Sequence, residues 1–140
     1  MEAIYKEFKN DRGIDLSIEE FQILILAYPI FKVANADDNF DKVESQLMSK
    51  ILINFFKEIF GNELSKDEQD ELAKLYIKDL LFIYSHREKF DLPILKSLTG
   101  VSPDIKKSIS ELLNEIAEIS GGLDKKENEV ISYLTKNYLS

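Results

Sequence analysis

An apolar helical pattern that ends in a short acidic turn occurs twice in this chain, 83 residues apart. After each turn, a new helical pattern opens on Asp-x-x-Glu, first at Asp41 to Glu44 and then at Asp124 to Glu127. The flanking apolar residues keep the same register, so that Ala34, Leu47, Met48 and Ile51 match Ala117, Val130, Ile131 and Leu134. A doubled helical hairpin restricts the fold strongly, and its two turns collect most of the candidate chemistry.

The rest of the chain also repeats apolar residues at helical spacing, and no stretch alternates as a half-buried strand would. Capping-box patterns at Ser17 to Glu20 and Ser65 to Glu68 predict two helix starts. A third helix is expected at about residues 42–60, ending at Gly61. Asp91-Leu92-Pro93 predicts the start of a short helix. Val43 and Leu75 are expected on buried apolar faces.

With 140 residues, of which 44% are apolar, the chain has the length and composition of one globular domain. The fold class predicted for residues 1–140 is therefore an all-α bundle of about seven helices with an internal pseudo-repeat.

Composition and charge restrict the environment and the partners. Cysteine is absent and no signal peptide is recognised, which favours a cytoplasmic protein. The most apolar segment, residues 21–36, is too short and too interrupted to span a membrane. The net charge is −8, and residues 1–70 carry 15 acidic against 8 basic side chains. A chain without a basic stripe is not expected to bind nucleic acid.

The first turn has the donor pattern of a site for a hard divalent cation. Asp37, Asn39 and Asp41 alternate, and Glu44 follows one helical turn later. Oxygen-only ligands suit Ca²⁺ or Mg²⁺ rather than Zn²⁺. The loop is not an EF-hand, because it lacks the glycine and the bidentate glutamate of that motif.

Helix capping explains the same residues without a metal. Asp41 with Glu44, and Asp124 with Glu127, each have the pattern of a capping box. Their negative charges also complement the dipole of the helix that follows. From the residues alone, both explanations stay open.

The two motifs, Asn35 to Glu44 and Ile119 to Glu127, resemble the paired acidic motifs of the TerB-like family, which is named after tellurite-resistance proteins. The resemblance covers roughly residues 18–138. Asp38 stands where the family has glycine, and Ser120 stands where it has the leading aspartate. The resemblance implies an all-helical cytoplasmic protein of bacterial stress response or phage defence. It also implies a cluster that holds a divalent cation, with the ligands Asp37, Asp41, Glu44, Asp124 and Glu127.

The expected function is that of a non-enzymatic binding or adaptor domain whose partner is another protein. No nucleophile or base with an orienting partner is recognised, and His86 is expected near a helix end. One alternative is a plain helical interaction module without metal. A less favoured one is a metal-dependent hydrolase that uses Asp37, Asp41, Glu44 and Glu127.

Overall fold

A computed structural model describes residues 2–36, 41–119 and 125–140 of the chain. Within these ranges the chain forms seven α-helices and no strand, which confirms the predicted all-α bundle. The helices are α1 (Glu2–Arg12), α2 (Ile18–Ala34), α3 (Lys42–Phe60), α4 (Lys66–Ser85), α5 (Arg87–Leu98), α6 (Pro103–Ile119) and α7 (Lys125–Tyr138).

Helix α2 lies at the centre of the bundle and packs against each of the other six helices. Its buried side chains lie on every side of the helix rather than along one stripe, as expected for a helix surrounded by others. Phe21, Leu24, Tyr28 and Phe31 are completely buried, and they join side chains from all the other helices in one core.

The helix contacts reproduce the pseudo-repeat of the sequence. The hairpins α2–α3 and α6–α7 each pack internally, and the central contact joins α2 to α6. Helix α2 also packs on α7, and α6 packs on α3. Exchanging α2 with α6 and α3 with α7 therefore maps this set of contacts onto itself. Helices α4 and α5, which separate the hairpins in sequence, pack against α2 as well.

Helix ends follow the predicted local chemistry. Among the described residues, three capping boxes form completely, with N-cap side chains that accept hydrogen bonds from the third backbone N–H of the helix: Ser17 with Glu20, Asp41 with Glu44, and Ser65 with Glu68. Ser102 accepts a hydrogen bond from the backbone N–H of Ile105 at the start of α6. Gly61 ends α3 with a φ of 68°, in the left-handed region that glycine enters without strain.

Polar contacts join α2 to α4 and α5. Tyr76 donates a hydrogen bond across 2.8 Å to Glu20, the same glutamate that closes the capping box of α2. At the other end of α2, Tyr28 and Lys32 both donate to Oδ1 of Asp91, at 2.7 and 2.5 Å. These contacts fix the positions of α4 and α5 against the central helix.

The start of α5 differs from the prediction. The helix begins at Arg87 rather than near Asp91, and Pro93 lies in its interior. The physical reason is tertiary, because Phe90 and Ile94 lie one turn apart and are both completely buried. Their burial favours a helix that continues through the proline, which itself is exposed.

Two side chains that were expected in the core lie at the surface. Val43 is 53% exposed and Leu75 is 56% exposed. Both lie at the edge of the apolar stripe of their helix. Helical spacing alone does not determine how the helix is rotated about its axis relative to the core, so residues at the edge can be exposed. In α3, Met48 and Leu52 are completely buried in the core.

Across the described ranges, none of the helices is both long enough and apolar enough to cross a membrane.

Candidate functional site

Asp41 and Glu44 form the first half of the candidate site at the start of α3. Oδ1 of Asp41 accepts a hydrogen bond from the backbone N–H of Glu44 across 2.8 Å. In return, Oε1 of Glu44 accepts one from the backbone N–H of Asp41 across 3.2 Å. Asp41 is exposed, whereas Glu44 is only 1% exposed. The capping explanation of this turn is therefore confirmed, and it leaves a buried carboxyl group at the third helical position.

Glu127 occupies the equivalent place in the second half. It is the third residue of α7, as Glu44 is the third residue of α3, and it too is 1% exposed. Several matched residues around both glutamates share their burial: Ala34 and Ala117 are buried before the turns, and Ile51 and Leu134 after them. Met48 and Ile131 differ, because Met48 is completely buried and Ile131 is half-buried. The repeat of 83 residues therefore recurs in part as a repeat of burial.

The burial of these two glutamates is not a general property of capping boxes. Glu68 closes the box at the start of α4 and is exposed, and Glu20 closes the box of α2 and is half-buried. Hydrogen bonding to the backbone of Ser65 lowers the pKa of Glu68, as expected for a carboxylate that only caps a helix in water. Glu44 has the same capping role at a buried position, and Glu127 is buried at the equivalent position of α7.

The loop that enters the first turn is anchored to the bundle. Asn35 follows α2 and is only 9% exposed. Its backbone N–H donates to the carbonyl of Phe31, and the backbone N–H of Ala36 donates to the carbonyl of Val33. The carbonyl of Asn35 accepts a hydrogen bond from the hydroxyl of Tyr84 across 3.3 Å. The start of the first motif is thus held by both α2 and α4.

Two of the five predicted metal ligands, Asp37 and Asp124, lie outside the described residues. Asp41 and Glu44 are brought together by the cap, and Glu127 repeats the position of Glu44 in the other hairpin. In the part of the chain that the structure describes, no three acidic, histidine or cysteine side chains form a metal-binding group.

The chemistry of the donors nevertheless fits a hard cation. The cap engages one oxygen of Asp41 and one of Glu44, and a carboxylate has two oxygens with several lone pairs. Capping and coordination by the same side chain are therefore chemically compatible. Oxygen donors of this kind are the ligands that Ca²⁺ and Mg²⁺ take in proteins.

The lone histidine lies at the end of α4. His86 is exposed at the junction of α4 and α5, as predicted for a residue near a helix end. Its Nδ1 lies 2.9 Å from the carbonyl oxygen of Phe82, so the ring satisfies one of the last carbonyls of α4.

No protein-family model, curated protein or solved structure matches this chain.

Proposed function

We propose that this chain is a non-enzymatic helical binding domain in which the two repeated acidic turns together hold a divalent cation. The observation that supports this most directly is the equal burial of Glu44 and Glu127, at the same helical position in both hairpins. Residues 37–40 and 120–124 would complete the coordination, with Asp37 and Asp124 as further ligands.

The physical argument rests on the cost of burying charge. An ionised carboxyl group loses hydration when it is buried, and this cost must be offset by cations, hydrogen bonds or protonation. A glutamate that only caps a helix has no need to be buried, as Glu68 demonstrates. Two buried glutamates in equivalent turns are best explained by a shared requirement for their negative charge. A hard divalent cation meets that requirement with the oxygen ligands present.

The proposed biological setting comes from the resemblance to TerB-like proteins. On that basis we propose a cytoplasmic role in stress response, such as tellurite resistance, or in phage defence, with another protein as the partner. The cation would then stabilise the two turns rather than take part in a reaction.

The test measures the binding of Ca²⁺, Mg²⁺ and Mn²⁺ by calorimetry, together with unfolding in the presence and absence of each cation. A cation that binds only the folded protein at one hundred times its Kd stabilises it by about 2.7 kcal/mol. Glu44→Gln and Glu127→Gln remove a charge, while glutamine can still close a capping box. Both variants should lose this stabilisation but remain folded without cation.

Glu68→Gln is the matched control, because it makes the same change in an exposed capping box. It should bind cation as the unaltered protein does. Flat calorimetric traces at millimolar concentrations of all three cations would refute the metal part of the proposal. Unchanged binding by Glu44→Gln and Glu127→Gln would show that the cation lies elsewhere.

A second candidate is a helical interaction module whose turns are only capped. The complete Asp41–Glu44 capping box favours it, because it explains both side chains without a ligand. Partner capture with and without chelator distinguishes the two candidates. Capture that chelator abolishes supports the cation-dependent domain, and capture that chelator leaves unchanged supports the plain module.

A further inference from the structure

A groove of about 740 Å³ runs along α3, between this helix, the start of α4 and the end of α6. It begins beside the first turn of α3, next to Glu44, and continues to Lys57 in the last turn. The groove therefore lies beside the candidate cation site but is formed by different side chains.

One face of α3 forms the length of the groove. The side chains of α3 that line it recur at helical spacing: Val43, Gln46, Leu47, Ser49, Lys50, Ile53, Asn54 and Lys57. With a rise of about 1.5 Å per residue, this face is about 21 Å long. That length matches about four turns of a partner helix, and grooves of this kind commonly bind the apolar face of an amphipathic helix.

Apolar side chains from two different helices are exposed in the groove. Val43 of α3 is 53% exposed and Ile119 of α6 is 39% exposed, and both line it. Leu47 and Ile53 of α3 also line the groove, the first half-buried and the second buried. These side chains provide an apolar surface on which the apolar stripe of a helix could be buried.

The charges along the groove contrast with those of the whole protein. Lys50 and Lys57 are exposed on α3, and neither forms an ion pair with any residue that the structure describes. Lys66 of α4 also lines the groove and pairs with Asp70 across 3.4 Å, while Glu115 is the other acidic residue there. The groove thus carries three lysines and two carboxylates, in a chain whose net charge is −8.

We propose that this groove binds an acidic amphipathic helix of a partner protein. The apolar stripe of that helix would pack on Val43, Leu47 and Ile119, and its flanking carboxylates would pair with Lys50 and Lys57. Two unpaired lysines in an acidic protein select for negative charge, because a basic partner would leave them opposed by like charge. The inference depends on the binding-domain part of the proposed function and names the chemistry of the partner.

The test is a selection from a displayed library of helical peptides about 16 residues long. Every peptide carries leucine at helical spacing, and the flanking positions vary among glutamate, serine and lysine. We expect peptides with glutamate flanks to be enriched on the unaltered protein. Their affinity should fall about tenfold or more in the variant Lys50→Glu/Lys57→Glu, and it should weaken as salt is added.

The matched control is Lys6→Glu/Lys136→Glu, which alters two exposed lysines of α1 and α7 and gives the same net charge. It should change peptide affinity by no more than about twofold, since only the long-range field changes. Val43→Ser, at an exposed position, should weaken binding without altering the unfolding transition.

Enrichment of lysine-flanked peptides, no enrichment at all, or equal loss of affinity in both double variants would overturn the proposal. The selection is repeated in chelator and in each cation. Failure of the peptides together with retained cation binding would remove the groove proposal alone. Peptide binding without any cation binding would remove the cation site and keep the groove.

Discussion

Arg12 in α1 donates a hydrogen bond from Nε to Oδ1 of Asp79 in α4, across 3.1 Å. Asp79 is only 3% exposed, and loss of hydration raises the pKa of its carboxyl group above the ordinary value, although the charge of Arg12 lowers it. The ion pair therefore joins α1 to α4 at a buried position, where the charged form of Asp79 depends on the guanidinium of Arg12.

Replacing Arg12 by methionine should destabilise the protein by about 3 kcal/mol at neutral pH, because a buried carboxylate loses its partner. The measurement is chemical unfolding. The double variant Arg12→Met/Asp79→Asn should regain most of the stability that Arg12→Met loses. This result would show that the uncompensated charge of Asp79 causes the loss. An equal loss in both variants would indicate lost packing instead.

The variant Arg12→Met should lose less stability in acid than at neutral pH. A carboxyl group whose pKa is raised in the folded state favours folding below its unfolded pKa of 3.8, and this contribution is lost as the pH rises through the folded pKa. Without Arg12 the folded pKa of Asp79 rises further, so the loss extends to higher pH. Unfolding measured from pH 3.8 to neutrality should show a steeper fall of stability in Arg12→Met.

Removal of the hydroxyl in Tyr28→Phe should cost about 1.5 kcal/mol, because the hydroxyl donates to the charged Asp91. Lys32 remains bonded to Asp91, which keeps the loss at the lower end of the range for such bonds. Tyr133→Phe, at a position that is 48% exposed, is the control and should change stability by less than about 0.5 kcal/mol.

Alkaline titration should distinguish the tyrosines by the pKa values of their hydroxyl groups. Burial, and a hydrogen bond to a carboxylate, raise the pKa of both Tyr28 and Tyr76 well above the ordinary 10.0. Hydrogen bonding to Tyr133 raises the pKa of Tyr138 to about 12. A raised folded pKa stabilises the fold below pH 10.0, and the contribution is lost as the pH rises. Phenolate absorbance of Tyr28 and Tyr76 should therefore appear only with unfolding.

Substitution of Gly61 by alanine should cost about 1 kcal/mol. Its φ of 68° is unfavourable for a side chain, and no atom beyond Gly61 and its two neighbours in the chain lies within 4 Å of the position that a Cβ would occupy. The cost is therefore one of backbone conformation alone. Gly100→Ala is the control, since Gly100 lacks a positive φ and should tolerate the change. Equal losses at both sites would refute this account of the end of α3.

At the first acidic turn, the contribution of the capping hydrogen bond of Asp41 can be measured separately from that of its charge. Asp41→Ala should destabilise the protein by about 1 kcal/mol, because the N-cap oxygen is lost. Asp41→Asn should nearly preserve stability, since asparagine is an equally good N-cap. If Asp41→Asn were as destabilising as Asp41→Ala, the charge rather than the hydrogen bond would hold this turn.

The local signals in the sequence explain which helices could be predicted. Helix α3 begins after Asp41 and ends before Gly61, as predicted, because each end carries its own capping residue. Helix α5 has no such signal, since His86 makes no side-chain capping bond at its start. The Asp91-Leu92-Pro93 pattern therefore predicts a later start than the observed one, because the helix already includes the buried Phe90.

The burial of the candidate ligands could not be predicted from their motif. Ser65 to Glu68 has the same box pattern as Asp41 to Glu44, yet Glu68 is exposed and Glu44 is buried. The difference depends on how helices from distant parts of the chain pack over α3. The groove could not be predicted for the same reason, because its lining joins Lys50 and Lys57 of α3 to Ile119 of α6, which is distant in sequence.

The central position of α2 has a consequence during synthesis. About 90 residues separate the end of α2 from the start of α7, so at about 5–20 residues per second the last covering helix is made roughly 5–20 s later. Until then, an almost wholly apolar segment stays incompletely covered on the ribosome. Nascent or truncated chains of this protein should therefore need a chaperone, and without one they should aggregate.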